Sequence, residues 1–266
     1  MNRGLSTILA WIGVAAVLLF LFLPIAILVL FSFNSGAALS FPLQGVSLTW
    51  YHKVLTDPVY LASLQNSFFV AVVTAVTTTV LGTAAAFALT LAAPKWRAVC
   101  AALFFAPVTL PGLFLGLSLL SLFAQTGVSP SLYTVMAAHV VFTFPYFVLI
   151  GRAALDRIDP GYEETAADLG ATRWQRFTRV TLPMVWPLIL AGSVLSFALS
   201  FDEFVLTFFV IGTQSTTPLV IWSAMRRSVD PSINAIATLL LLVTTLTTFT
   251  IAGLAALRRI SRKAST

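Results

Sequence analysis

Two adjacent acidic residues stand in one of the most apolar stretches of the sequence. Asp202 and Glu203 interrupt the run SFALSFDEFVLTFFVIG, which carries no other charge. An ionisable side chain in the interior of a membrane costs about 3 kcal/mol, so such residues are usually retained for a function. We expect the pair to form a negative site that favours a cation. The alternative is structural: a carboxylate pairs with a basic residue such as Arg226 or Arg227 and holds the outer end of a helix.

The most charged part of the chain is DPGYEETAADLGATRWQRFTRVTLP, residues 159–183, here called the charged loop. Asp159 followed by Pro160 predicts a helix start, because aspartate caps free amides and proline has no amide to lose. Glu163 and Glu164 then lie in the first turns, where the helix dipole favours anions. The first half of the loop is therefore predicted to be a short helix.

Two further signals divide the charged loop. Gly170 is placed to end the first helix in a left-handed conformation. Thr172 and Gln175 have the spacing of a capping box that opens a second short helix, and Pro183 indicates the return into an apolar segment. The charged loop is predicted to be two short helices joined by a glycine elbow.

The remaining residues with catalytic or ligating side chains form no recognisable site. His139 lies alone in an apolar run, where a histidine more often makes a packing hydrogen bond than a reactive centre. Cys100 is the single cysteine, so there is no disulfide framework, and no metal site is predicted.

The composition places these residues in a membrane protein. Hydrophobic residues make up 59% of the 266 residues and charged residues 9%, against about 25% charged in soluble domains. The formal charge is +6, and the charged residues cluster in short loops and tails, as membrane topology requires. Lipid is therefore an expected partner, and nucleic acid is not.

Six apolar segments are each longer than the roughly 20 residues needed to cross a bilayer. These predicted spans are residues 8–33, 66–93, 99–124, 132–155, 184–211 and 233–257. They predict one all-α, polytopic transmembrane domain over residues 1–266. Within the spans, Pro107 to Gly112 is the best candidate for a break, while Gly116 and Gly192 favour close helix contacts.

The basic residues predict the orientation. With six spans, both termini, residues 94–98 and the charged loop with its approach lie on one side, and they hold 12 of the 15 Lys and Arg residues. Positive charge accumulates on the cytoplasmic side. Both termini and the charged loop are therefore expected in the cytoplasm of a bacterial inner-membrane protein.

The charged loop resembles the "EAA" loop of bacterial ABC importer permeases. That pattern is E-A-A, three residues, G, nine residues, I, one residue, L-P, and it is matched here at positions listed together: Glu164, Ala166, Gly170, Val180, Leu182 and Pro183. Thr165 replaces the middle Ala and Val180 the Ile. The resemblance implies a type I importer fold: six transmembrane helices with a cytoplasmic two-helix coupling loop that docks on an ATPase subunit. It implies that Glu163, Glu164, Ala166, Gly170, Leu182 and Pro183 serve that coupling.

The same resemblance implies the partners. Such a permease forms half of a pore with a paralogous permease subunit, binds a cytoplasmic ATPase dimer and receives solute from an extracytoplasmic solute-binding protein. The sequence contains no GxxxxGK[ST] phosphate loop. The chain is therefore expected to have no cofactor of its own and to be no enzyme, with ATP and Mg bound by the ATPase.

From about residue 63 onward the chain looks like the second membrane subunit of spermidine/putrescine importers. SFDEFVLTFFVIG and the following TTPLVIWSAMRRSVDPSINAIATLLL carry this resemblance. Members of this family also carry opines, amino-acid-like amines and phosphonates. A polyamine is the first choice, because Asp202 and Glu203 on the substrate path suit a cation.

Two other classes of function stay open at this point. An intramembrane enzyme would use His139 with Asp202 and Glu203, but the sequence lacks a glycine elbow around a serine or an H-E-x-x-H pair. A self-contained channel would conduct without ATP.

Overall fold

The computed structural model describes residues 3–37, 40–227 and 231–264 of the chain, with side chains for 7–37, 40–226, 231–250 and 253. All regular structure in these residues is helical. The helices are α1 (Arg3–Ser32), α2 (Thr49–Thr56), α3 (Pro58–Leu91), α4 (Pro94–Thr109), α5 (Gly112–Gln125), α6 (Leu132–Leu155), α7 (Gly161–Asp168), α8 (Arg173–Arg176), α9 (Leu182–Phe201), α10 (Val205–Val210), α11 (Thr217–Arg227) and α12 (Ser232–Ala264). The all-α prediction is confirmed.

The chain divides into two compact units. The first comprises Met1–Leu61 with Val220–Leu242, and the second Ala62–Leu219 with Val243–Thr266. In the first unit Val54 of α2 packs on Ala235 and Ile236 of α12. The charged loop, the acidic pair and His139 all belong to the second unit. The assignment of residues 1–266 to one domain stays a prediction.

Among the described residues, five helices are long and apolar enough to cross a membrane, and six if α4 and α5 form one bent span. The first, second, fourth and sixth predicted spans correspond to α1, α3, α6 and α12, and α6 has the predicted bounds. Helix α1 exposes large apolar side chains on every face, among them Trp11 at 69% and Phe20 at 79%. Such a surface requires lipid or protein around it.

The third predicted span, residues 99–124, is not one straight helix. Helices α4 and α5 meet at an angle of 106°. Pro111 has no amide with which to continue α4, and Leu110 before it is extended at φ −90° and ψ 130°, as a residue before proline prefers. The break expected between Pro107 and Gly112 is confirmed.

The fifth predicted span differs at both ends. Residues Arg173–Phe201 form one continuous helical run, which starts inside the charged loop. The run ends at Phe201, and the chain turns before α10 begins at Val205. A single helix over residues 184–211 is therefore wrong.

Helices α3, α6 and α9 pack closely against one another in the core of the second unit. The ring of Phe147 on α6 is 1% exposed and lies against two glycines. A Cβ on Gly82 of α3 would come within 2.4 Å of the ring, and one on Gly192 of α9 within 2.9 Å. The expected close contact at Gly192 is confirmed, as is that at Gly116, where Phe209 packs against the backbone.

Candidate functional site

The first helix of the charged loop begins at Gly161, one residue later than Asp159-Pro160 suggests. The Asp159 carboxylate accepts a hydrogen bond from the Gly161 amide at 2.9 Å. It thus satisfies one of the free amides at the start of α7. Glu163 and Glu164 lie in the first turn, as expected.

The glycine elbow of the charged loop has the predicted geometry. Gly170 has φ +82°, a conformation that costs other residues about 1–2 kcal/mol. Its amide donates to the Ala167 carbonyl at 2.9 Å, and the Ala171 amide donates to the Ala166 carbonyl at 3.0 Å. These bonds satisfy the last carbonyls of α7 and turn the chain.

The capping box after the elbow is also present. The Gln175 amide donates to Thr172 Oγ1 at 3.3 Å, and the Thr172 amide donates to Gln175 Oε1 at 2.9 Å. The helix that it opens does not end within the loop, however. It passes through a π-helical turn, Phe177–Thr181, and continues as α9.

The π-helical turn explains how Leu182 and Pro183 fit inside a continuous helix. Pro183 lacks an amide, so an ordinary helix would lose a hydrogen bond there and meet a steric clash. In the wider turn the Leu182 amide donates to the Phe177 carbonyl, five residues back. Pro183 therefore lies inside a helix that begins at Arg173, and not at the start of a new one.

The two neighbouring glutamates, Glu163 and Glu164, have different surroundings. Glu163 is half-buried, and its carboxylate accepts a hydrogen bond from the hydroxyl of Thr181, which is buried in the π-helical turn. This contact ties α7 to the base of α9. Glu164 is exposed, while Ala166 on the same helix is half-buried. Glu164 is therefore accessible to a partner, and Glu163 holds the loop together.

Three apolar side chains on the exposed surface of the charged loop were not singled out from the sequence. Tyr162 is 57% exposed, Leu169 84% and Trp174 71%. Large apolar residues inside an otherwise charged segment are the signal that would have identified them. Exposed aromatic side chains are enriched at surfaces that bind protein partners.

The acidic pair lies between two helices and not within one. The segment 202–204, here called the acidic break, separates α9 from α10. The Asp202 amide still reaches the Ala198 carbonyl at 3.3 Å. The angle of about 100° between neighbours on a helix therefore does not describe these two side chains.

The acidic break gives its two carboxylates different surroundings. Glu203 is half-buried, and its Oε1 accepts a hydrogen bond from the Leu206 amide at 3.0 Å, so it caps the start of α10. Asp202 is exposed. Among the side chains that the structure describes, none makes a hydrogen bond or ion pair with the Asp202 carboxylate. Asp202 is the exposed member of the pair.

The basic residues that were considered as partners for the acidic pair are described only in part. The guanidinium of Arg226 lies 4.5 Å above the ring of Trp222, a cation–π contact. The side chain of Arg227 lies outside the described residues. In the described part of the chain no three His, Cys, Asp or Glu side chains come together as metal ligands.

His139 is 1% exposed and hydrogen-bonded at both ring nitrogens. Its Nδ1 lies 2.8 Å from Ser200 Oγ and its Nε2 2.9 Å from Thr207 Oγ1. These partners belong to α9 and α10, one on each side of the acidic break. A packing role for His139 fits this arrangement.

Comparison with known families gives one match. The model of the family described as "Binding-protein-dependent transport system inner membrane component" matches residues 78–263. This range contains the charged loop, the acidic break and His139.

Relatives of known name extend over most of the chain. The putrescine transport system permease protein PotI of Escherichia coli K12 is 36% identical over 84% of this chain and 82% of its own length. The spermidine/putrescine transport system permease protein PotC of the same strain is 32% identical, with 86% of both chains covered. The sulfate transport system permease protein CysT of that strain is 32% identical over 81% of this chain and 83% of its own length.

Solved structures resemble the whole fold. A bacterial ABC transporter that imports the acidic polysaccharide alginate contains a chain that aligns with a TM-score of 0.75, 14% identity and 96% coverage of both chains. The methionine ABC transporter MetNI in an inward-facing conformation aligns with a TM-score of 0.66 and 16% identity, over 74% of this chain and 95% of that one. With the family match and the named relatives, the chain belongs to the binding-protein-dependent transport system inner membrane components, as a permease subunit of an ABC importer.

Proposed function

We propose that this permease carries a polyamine, putrescine or spermidine, and that Asp202 lies on the path of the cation. The observation that carries the proposal is the exposed Asp202 carboxylate in an apolar segment, with its neighbour Glu203 already engaged as a helix cap. A polyamine ammonium group would compensate the charge of Asp202 as the solute passes.

The named relatives narrow the cargo without deciding it. Two of them are named for putrescine or spermidine and one for sulfate, an anion. Identity of about one third is thus compatible with a solute of either charge. The charge of the residues on the path, here Asp202, must therefore be used to choose between a cationic and an anionic solute. A carboxylate attracts ammonium groups and repels sulfate. It favours a polyamine over a phosphonate, and an opine or amino-acid-like amine is the second candidate.

We propose further that energy enters through the charged loop. A cytoplasmic ATPase dimer would bind ATP and Mg and contact Glu164 and Gly170. The run Arg173–Phe201 joins the loop to the acidic break as one helix of 29 residues, roughly 43 Å at 1.5 Å per residue. A displacement of the loop would therefore move the acidic break directly, which suits a pore that alternates between two states.

The remaining partners follow from the same proposal. A second, related permease chain would form the other half of the pore, and an extracytoplasmic binding protein would deliver the solute. Both termini and the charged loop would face the cytoplasm, in agreement with the distribution of Lys and Arg.

Uptake by Asp202→Asn tests the cargo site. A hydrogen bond to a charged group contributes about 1.5–3 kcal/mol, so we expect putrescine uptake to fall roughly tenfold or more. Asp156→Asn is the matched control, because the exposed Asp156 forms a pair with Arg152 at 3.7 Å, and a pair of this kind contributes little. Uptake and amount of the assembled transporter are measured together. Unchanged uptake in Asp202→Asn would show that the carboxylate is not needed for transport and has a structural role. Import of sulfate but not putrescine by the parent protein would refute the proposal that the solute is a polyamine.

Alanine at each of the two glutamates tests the coupling site. Glu164→Ala should weaken binding of the ATPase subunit and leave the charged loop folded, because that side chain is exposed. Glu163→Ala should loosen the loop, since it removes the partner of Thr181. Co-purification of the ATPase and hydrogen exchange of the loop amides separate the two effects. Normal ATPase binding and normal uptake in Glu164→Ala would contradict the assignment.

A further inference from the structure

The acidic break occurs where the local sequence contains no helix breaker. Between Gly192 and Gly212 there is neither proline nor glycine, although most sharp breaks in helices occur at these residues, at π-bulges or where a side chain enters the ladder of backbone bonds. Phe and Val around Asp202 would tolerate a continuous helix. Glu203 caps the start of α10 locally, and contacts from elsewhere in the fold stabilise the interruption further.

His139 supplies such a contact on both sides of the acidic break. The ring reaches Ser200 in the last turn of α9 through Nδ1 and Thr207 in α10 through Nε2. Ser200 is 3% exposed and Thr207 0%. A single buried ring thus connects two helices whose ends are separated by only three residues.

The hydroxyl protons fit one arrangement of this cluster. Thr207 Oγ1 donates to the Glu203 carbonyl at 3.0 Å, so it must accept from His139, and the ring proton is on Nε2. Nδ1 then accepts from the Ser200 hydroxyl. A neutral imidazole satisfies both hydroxyls, and the bond from Thr207 fixes the backbone of Glu203 within the break.

The backbone of α6 at His139 is linked to two buried threonines. Thr143 Oγ1 donates to the His139 carbonyl at 2.8 Å, and Thr78 Oγ1 of α3 lies 2.9 Å from Thr143 Oγ1. Thr78 and Thr143 are both 0% exposed. These bonds join α3 to the backbone of α6 at His139, so they help to fix the helix from which the imidazole extends toward the break.

The far end of α10 is anchored separately. Thr134 Oγ1 donates to the Val210 carbonyl at 2.6 Å. At Gly212, with φ +75°, the backbone passes so close to Pro130 that a Cβ would lie 2.4 Å from its carbonyl oxygen. At the other end of α10, next to the acidic break, the contacts are the bonds of His139 and the Glu203 cap.

We infer that His139 is a positioning residue for the acidic break: its two hydrogen bonds hold α9 and α10 apart, which keeps Glu203 as the cap of α10 and Asp202 exposed. Loss of either bond lets the break change conformation and moves Asp202. The consequence for transport rests on the proposed cation path. The effect of His139 on the position of Asp202 is independent of that proposal.

The position of Asp202 can be measured without a cargo. In a Cys100→Ser background the variant Asp202→Cys carries one thiol, and its rate of reaction with a membrane-impermeant maleimide reports its exposure in the full chain in membrane vesicles. His139→Leu and Thr207→Val should each change this rate by about threefold or more, the effect expected for an interhelical hydrogen bond in a membrane. The double variant should change it by less than the product of the two single changes, because both substitutions remove the bond between His139 and Thr207.

Thr79→Val is the matched control. Thr79 Oγ1 lies 2.6 Å from Ser193 Oγ, which is a bond between α3 and α9 away from the break, so the labelling rate should stay at the parent value. His139→Gln keeps an amide donor toward Thr207, so its labelling rate should lie between those of His139→Leu and the parent. If His139→Leu does not accumulate in the membrane, Thr207→Val and Ser200→Ala decide, since each removes a single hydroxyl.

Parent-like labelling rates in His139→Leu and Thr207→Val, or an equal change in Thr79→Val, would overturn the positioning role. Putrescine uptake then separates the two proposals. A changed labelling rate with normal uptake in Asp202→Asn would refute the cation path and leave the role of His139 intact.

Discussion

The charged loop and the acidic break are both interruptions of helix, but different forces produce them. In the charged loop each turn has a local cause, namely the left-handed Gly170 and the reciprocal bonds of Thr172 and Gln175. In the acidic break Glu203 caps α10 locally, but the apolar neighbours favour a helix, and His139 of α6 bonds to the chain on both sides of the break. The first interruption is therefore decided within a few residues, and the second by packing across the unit.

This difference suits the two roles that we propose. A docking surface must keep its shape when a partner leaves, and local caps provide that independence. A site on a transport path must change with the state of the pore, and a conformation held by distant contacts changes when those contacts do. The helix Arg173–Phe201 connects the two.

The largest expected effect comes from a substitution in the core of the second unit, where Phe147 also packs on Gly192 of α9, the helix that ends at the acidic break. Gly82→Ala places a methyl group against the buried ring of Phe147, and overpacking of this kind costs about 1–3 kcal/mol. The thermal unfolding temperature of the purified protein should fall. The rate of thiol labelling at position 202 should change, although Gly82 lies far away in sequence. Hydrogen exchange in the charged loop should not change.

Phe147→Leu in combination with Gly82→Ala controls for the cause, because the smaller side chain gives room to the methyl group. We expect part of the lost stability to return. A destabilised Gly82→Ala variant whose labelling at position 202 equals that of the parent would show that the break does not depend on this packing.

Gly170→Ala should have a smaller effect that stays within the charged loop. No atom lies within 4 Å of the added Cβ, so the cost is the backbone strain of φ +82°, about 1–2 kcal/mol. Gly170→Asn is the control, since asparagine adopts this conformation more readily. Binding of the ATPase subunit should weaken in the alanine variant and recover with asparagine, and equal binding in both would argue against strain at the elbow.

Thr172→Ala should have the smallest effect of the three. Removing the capping hydroxyl costs about 1 kcal/mol, which corresponds to roughly fivefold faster exchange of the Gln175 amide. Thr172→Ser keeps the hydroxyl and should exchange like the parent. A change of thiol labelling at position 202 in either variant would mean that the two interruptions are not independent.

Much of the charged loop could be predicted from the sequence because its signals are short-range. The glycine elbow, the capping box and the acidic first turn were all read from residue types at fixed spacing, and the structure has them. What the sequence reading missed is continuity: the capping box opens a helix that does not stop at Pro183. A π-helical turn accommodates that proline, and no residue type announces such a turn.

The sequence by itself determined the class of protein, the number of apolar segments, the break at Pro111 and the local form of the charged loop. Each of these depends on the hydropathy or backbone preference of residues close together in the chain. Only the tertiary structure decided that the fifth span ends at Phe201, that Glu163 is bound to Thr181 while Glu164 is free, and that Glu203 caps α10 while Asp202 is exposed. The Glu203 cap is a local bond, but Glu163 bonds to a residue 18 positions away and His139 bonds to Ser200 and Thr207 from 61 and 68 positions away. Local spacing carries no information about contacts at such separations.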